Sequence, residues 1–147
     1  MTESGELGNW PLTSEFQVLW GDLDAFNHVN HTVFVKWIET ARVNYFNDCG
    51  LMEMFEKEHK GPILASLSID YHEPVFFPDS IIIQTTTTRM GVSSFDMAYR
   101  VSSSSKDSGI VAEATAVGVM FDYNKQKSTP IPDSIRSRII DFETKGR

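Results

Sequence analysis

Apolar residues change their spacing twice along this chain, and each spacing predicts a different element. From position 33 to 46 they recur every three or four residues, at Val33, Phe34, Trp37, Ile38, Ala41, Tyr45 and Phe46. That interval lays one broad apolar stripe along an α-helix, with Lys36, Glu39 and Thr40 turned away from it. Asn30 is a capping residue placed just ahead of the stripe, and Cys49-Gly50 supplies a glycine suited to the left-handed position past a helix end. The stripe is aromatic enough to demand deep cover. A short second helix is predicted over 52–60, stopped by Gly61-Pro62.

From Ile63 the period becomes two. Ile63, Ala65, Leu67, Ile69 and Tyr71 alternate with Leu64, Ser66, Ser68, Asp70 and His72, which predicts a strand with one covered face. Residues 73–78 break it with two prolines. Strands are predicted over 81–90, 94–102 and 110–123. The last has Ala112, Ala114, Ala116 and Gly118 on one face, small enough to admit a helix, a ligand or tight curvature. Ahead of the long helix, 16–20 reads as a short strand and 21–30 as a loop. Residues 1–10 read as a mobile tail, 124–132 as a basic loop, and Asp133 as the cap of a terminal helix over 134–142. Strands joined by turns imply an antiparallel sheet, so the whole of 1–147 is expected to be one α+β domain.

Composition narrows the class. The chain has 147 residues, 41% of them apolar and 22% charged, as in an ordinary globular domain. A net charge of -7 argues against nucleic acid as a partner, since phosphate binding needs a basic surface. The one cysteine, Cys49, excludes an intrachain disulfide and fits a reducing compartment. No apolar run is long enough to span a bilayer and the first residues lack the features of a signal peptide, so a cytoplasmic protein without a membrane partner is expected.

The chemistry concentrates in the loop before the long helix, which holds Asp22, Asp24, Asn27, His28, Asn30 and His31. A carboxylate at Asp24, leading into an apolar helix, can act as general base on water or as a nucleophile on an acyl carbon. The plainer reading is a loop Asp that shapes a turn. A helix beginning at His31 exposes backbone N–H groups and the positive end of its dipole, able to polarise a carbonyl; alternatively those groups are satisfied by Asn30 and water. Asp22, Asp24, His28 and His31 have carboxylates two apart and imidazoles three apart, which matches no closed zinc pattern, so no metal is predicted. Asp22 is read as a turn former, and Asn27 and His28 as groups that orient the loop or touch a ligand. Arg89, Lys125 and Lys127 are candidate anion contacts, and Ser93 and Ser94 candidate donors, beside the plainer reading of solvated charges and turn serines. The nucleophile-elbow, P-loop, dinucleotide and C-x-x-C motifs are absent.

The run Trp20-Gly21-Asp22-Leu23-Asp24, then Asn27-His28-Val29-Asn30-His31, then Glu39-Thr40-Ala41-Arg42 resembles the signature of hotdog-fold acyl-CoA thioesterases of the 4-hydroxybenzoyl-CoA thioesterase type. Ile131-Pro132-Asp133 before the last helix is similar to that family's end, and the resemblance spans about 16–142. It implies an antiparallel sheet wrapped around one long helix, and a homo-oligomer, dimer or tetramer, with active sites between subunits. It also implies hydrolysis of an acyl-CoA to a free acid and CoA, with no cofactor. By motif position the catalytic carboxylate falls on Asp24 and the carbonyl-polarising N–H on His31, with Asn27, His28 and Asn30 near the substrate. The chain departs from the pattern at Asn27, where the family often has glycine; a side chain there would narrow the acyl pocket or add a hydrogen bond. The rival readings are a hotdog enoyl-CoA hydratase or dehydratase, a non-catalytic acyl-CoA-binding module, and a metal-dependent hydrolase.

Overall fold

A helix with an aromatic stripe needs a concave apolar surface to lie in, and the sheet provides one. The computed structural model describes residues 6–107 and 109–145. In chain order the elements are β1 (Leu12–Gln17), α1 (His31–Asp48), α2 (Leu51–Glu58), β2 (Lys60–Tyr71), β3 (Ser80–Met90), β4 (Ser94–Ser103), β5 (Gly109–Asp122), β6 (Lys127–Ser128) and α3 (Asp133–Lys145). The sheet is antiparallel in the order β1-β3-β4-β5-β2, with β6 added as a hairpin on β5. α1 buries Phe34, Trp37, Ile38, Ala41, Tyr45 and Phe46 against it, as the spacing predicts. Burying one such large side chain is worth about 1.5–3 kcal/mol, so the stripe alone accounts for the helix's position. Gly50 takes φ 84°, the left-handed turn expected after the helix. Gly118 matters too: a Cβ there would fall on the ring of Phe95. No described helix is long and apolar enough to cross a membrane.

Three sequence expectations shift. The first strand lies at Leu12–Gln17 rather than 16–20, because its register is set by β3, from Leu12 opposite Thr85 to Gln17 opposite Ser80. Trp20–Asp22 is instead a 3-10 turn. β2 begins at Lys60 and takes Gly61-Pro62 into the ladder, Pro62 opposite Met120. An edge strand tolerates proline, whose missing N–H need not face a neighbour. A bulge between Leu64 and Ser66 then breaks the alternation. Leu67 and Ile69 pack on the core, while Ile63, Ala65 and Tyr71 remain exposed. Finally, residues 1–5 of the expected mobile tail lie outside the described residues, but its remainder is packed. Leu7 is buried, the Gly8 N–H donates to the Thr87 carbonyl at 2.9 Å, and Trp10 lies 3.7 Å from the Arg100 guanidinium.

One carboxylate joins the layers. Glu143 on α3 is 0% exposed and accepts from the Tyr45 hydroxyl (2.6 Å), the Thr86 hydroxyl (2.7 Å), the Thr87 N–H (2.8 Å) and the Asn9 N–H (3.0 Å). Burial, then the Glu143 charge, pushes the Tyr45 phenol far above its ordinary value, so it stays a donor. A buried charge is tolerable when its lone pairs are filled in this way. Glu143→Ala would strand several buried donors, each costing about 1–3 kcal/mol. Urea denaturation is expected to show a loss of about 3 kcal/mol or more at unchanged slope, with a smaller loss for Glu143→Gln. A loss under about 1 kcal/mol for the alanine variant would contradict this role.

Candidate active site

The loop from β1 to α1 is fixed by its own polar groups. The Leu19 N–H donates to Asp22 Oδ2 at 2.8 Å, which makes Asp22 the turn former expected. Asp24 closes the next turn. Its N–H donates to the His28 carbonyl (2.7 Å), its carbonyl accepts from the Asn27 N–H (3.1 Å), and its Oδ1 accepts from the N–H groups of Phe26 (2.8 Å) and His28 (3.3 Å). The plain reading of Asp24 therefore holds for one oxygen, which shapes the turn, while Oδ2 accepts no hydrogen bond among the described residues. The turn places Asn27 at φ 66°, in the left-handed region. Asparagine is one of the few L-residues at ease there, which explains how it stands where the family pattern has glycine.

The end of the loop is clamped to the sheet side. The Val29 N–H donates to the Val75 carbonyl (2.8 Å) and the Asn30 N–H to the Asp22 carbonyl (2.9 Å). Asn30 Oδ1 caps the helix by accepting from the Thr32 N–H at 3.0 Å, and the Asn30 carbonyl takes the Val33 N–H at 2.9 Å. The N–H of His31 is left with no acceptor among the described residues. It sits at the positive end of an 18-residue helix.

A cavity of about 310 Å³ opens between this loop and the end of β2, lined by Asp24, His28, His31, Phe34, Tyr71 and Glu73 among others. Phe34 and Tyr71 meet edge to face at 5.2 Å, and the Tyr71 hydroxyl donates to the His31 carbonyl at 3.4 Å. Burial raises the Tyr71 phenol, keeping it protonated. His72, also in the wall, pairs with Glu113 at 3.0 Å. Lys106 reaches Glu73 at 3.4 Å and lies 5.7 Å from the Phe76 ring, which itself packs on His28. The sequence reading missed Tyr71, His72, Glu73 and Lys106. No local pattern marks them, because strand register and loop packing bring them here.

Other predicted residues are placed elsewhere. Asn27 is exposed on the outside of its turn and Asn30 serves as the cap; neither lines the cavity. Arg89 is held by Asp96 in a two-pronged pair at 3.0 and 3.1 Å, and by the Ser94 hydroxyl at 3.1 Å, so it is not a free anion contact. Ser94 opposes Val119, whereas Tyr71 opposes Ala112 on the same strand β5. Arg89, Ser93, Ser94, Lys125 and Lys127 thus lie toward the opposite end of the sheet, on the order of 20–30 Å away. No group of three or more His, Cys, Asp or Glu residues is arranged to hold a metal among the described residues.

A curled antiparallel sheet around one helix, with an acidic turn at that helix's start, defines the hotdog class of α+β protein. The chain matches the model of the thioesterase-like superfamily over residues 18–139, and it belongs to that family. It is 27% identical to the acyl-CoA thioester hydrolase YbgC of Escherichia coli O6:H1, over 88% of this chain and 92% of that one. A Thermus thermophilus thioesterase complexed with coenzyme A and Zn superposes with a TM-score of 0.80 at 27% identity, covering 92% of this chain and 96% of that one. Slr0204, a 1,4-dihydroxy-2-naphthoyl-CoA thioesterase from Synechocystis, shares the fold with a TM-score of 0.76 at 22% identity, covering 88% and 95%.

The φ at Asn27 yields a prediction about the site's scaffold. Asn27→Gly should leave stability within about 0.5 kcal/mol of wild type, while Asn27→Ala should cost about 1 kcal/mol from the left-handed backbone. Thermal or urea unfolding of the two variants measures the difference. Equal stability would mean that the turn relaxes to another conformation.

Proposed function

We propose that this thioester hydrolase cleaves an acyl-CoA to a carboxylic acid and CoA in the cavity between Asp24 and His31. The observation that carries the reading is that Asp24, with one oxygen unengaged, and His31, with its helix-terminal N–H unengaged, both among the described residues, line one cavity. The thioester carbonyl oxygen takes the His31 N–H, where the helix dipole favours the negative charge that develops as the carbonyl carbon is attacked. Asp24 supplies the attack in one of two ways. As base it takes a proton from the attacking water, the tetrahedral species collapses to the acid, and that proton passes to the departing CoA sulfur. As nucleophile it adds its own oxygen, CoA leaves as a thiolate that solvent protonates, and water then hydrolyses the mixed anhydride to release the acid and restore Asp24. His28 steadies Asp24 through its backbone N–H. Similarity to YbgC, an acyl-CoA thioester hydrolase, supports CoA as the carrier.

The same reading includes a homodimer. β2 is an edge strand, paired with β5 on one side and with no strand on the other among the described residues, and Ile63 is 42%, Leu64 46% and Tyr71 46% exposed. Edge strands of this length and apolarity invite a partner strand. Antiparallel pairing of two β2 edges about a two-fold axis sets the Tyr71 end of one subunit beside the Lys60 end of the other.

Asp24→Asn is expected to lower acyl-CoA hydrolysis, followed as release of free thiol, by about 10²–10⁴-fold with circular dichroism unchanged. Activity within tenfold of wild type would remove Asp24 from the mechanism. Hydration of an enoyl-CoA without thiol release would favour the hydratase instead, and tight binding without turnover the non-catalytic module. Sedimentation velocity at micromolar concentration should find a dimer or a tetramer made of two dimers, and Leu64→Asp should dissociate the β2 contact. A wild-type monomer would contradict that part.

A further inference from the structure

A second cavity, of about 300 Å³, lies against the middle of α1. Arg42 in its wall is eleven residues beyond His31, about 16 Å along the helix. The remaining walls are mostly apolar: Phe46, Met52, Phe55, Ile63, Leu64 and Phe95. Two charged residues also line it: Glu39, which is exposed, and Arg42, which is half-buried and calls for an explanation. The Arg42 side chain turns inward, Nε–H donating to the Tyr99 hydroxyl at 3.0 Å, and Tyr99 is only 1% exposed. A guanidinium has five N–H donors and is always charged, so four donors remain. None finds an acceptor among the described residues, and no carboxylate, Glu39 included, lies within ion-pair distance. The half-buried positive charge therefore faces an apolar-walled space with its donors open.

The complement of such a space is an apolar chain or ring that ends in a carboxylate. The walls take the hydrocarbon, and the planar fork takes both carboxylate oxygens. We propose that this cavity binds a carboxylate-terminated apolar ligand, with Arg42 as its anchor. Two sources share that chemistry: the far end of an acyl group bearing a terminal carboxylate, and a free carboxylic acid. Binding here does not depend on the assignment of Asp24 and His31, and it is measurable without turnover.

The direct test is calorimetry with octanoate and 1-octanol, equal in chain length and different in charge. Wild type should bind octanoate at least about tenfold more tightly, and Arg42→Met should lose most of that difference. Arg42→Lys, which keeps the charge without the fork, should retain a weakened preference and also serves if the methionine variant does not fold. Equal binding of the two probes by wild type, no binding of octanoate below about millimolar concentration, or an undiminished preference in either variant would overturn the proposal. Thiol-release kinetics then separate the sources. A higher kcat/KM for an eight-carbon acyl-CoA with a terminal carboxylate than for octanoyl-CoA, abolished in Arg42→Met, assigns the site to the substrate's tail. Inhibition by octanoate without such a preference assigns it to free acid.

Discussion

The first turn of α1 is held by a single asparagine used three ways, and the geometry of the candidate site follows from it. Asn30 gives its N–H to the Asp22 carbonyl, accepts the Thr32 N–H on its side chain and accepts the Val33 N–H on its carbonyl. Those bonds satisfy the second and third helical positions and leave the first, His31, without an acceptor among the described residues. Because the same residue is tied to Asp22, the acidic turn cannot move without the helix end. Asp24 and the open N–H are thereby fixed on one cavity wall before any ligand arrives. Such preorganisation is what makes a backbone dipole useful to catalysis, since no reorientation is needed as charge develops.

The scaffold beneath that turn is rigid for separate reasons. The aromatic stripe of α1 sits deep in the sheet, and the small residues of β5 let it come close. Glu143 locks α1, β3 and the segment before β1 together through a fully satisfied carboxylate. On the loop side, Asp79 binds the β4–β5 connection to the start of β3 through the hydroxyls of Ser103 and Ser105 and the N–H groups of Ser80 and Ser105. Burial acts to raise the Asp79 carboxyl, but these donors outweigh it and hold the group below the usual carboxylate range. The anchored connection carries Lys106, whose bond to Glu73 closes one side of the candidate site.

How much of this could be read from the chain depends on the range of the forces involved. α1 was legible because a 3.6-residue period is a local property, and Asp24, His28 and His31 were legible because they crowd one short loop. β1 was misplaced because its register is decided by β3, far along the chain. The covered face of β2 follows the apolar pattern at Leu67 and Ile69 but not before them, because one bulge, invisible in that pattern, reverses the alternation near Ala65. Tyr71, Glu73 and Lys106 reach the site only through tertiary packing. Arg89 looked free in sequence, yet the strand register sets Asp96 beside it and uses up its charge. Arg42, half of a helical motif, shows its unusual setting only once the cavity around it is seen.

The proposed catalysis turns on where a thioester carbonyl lies. The most direct measurement is a crystal structure with a non-hydrolysable acyl-CoA in which a methylene replaces the thioester sulfur. The carbonyl oxygen should lie about 2.7–3.1 Å from the His31 nitrogen, with an Asp24 oxygen, or a water it holds, about 3–3.5 Å from the carbonyl carbon. A carbonyl seated away from the start of α1, with the His31 N–H turned to solvent, would contradict it.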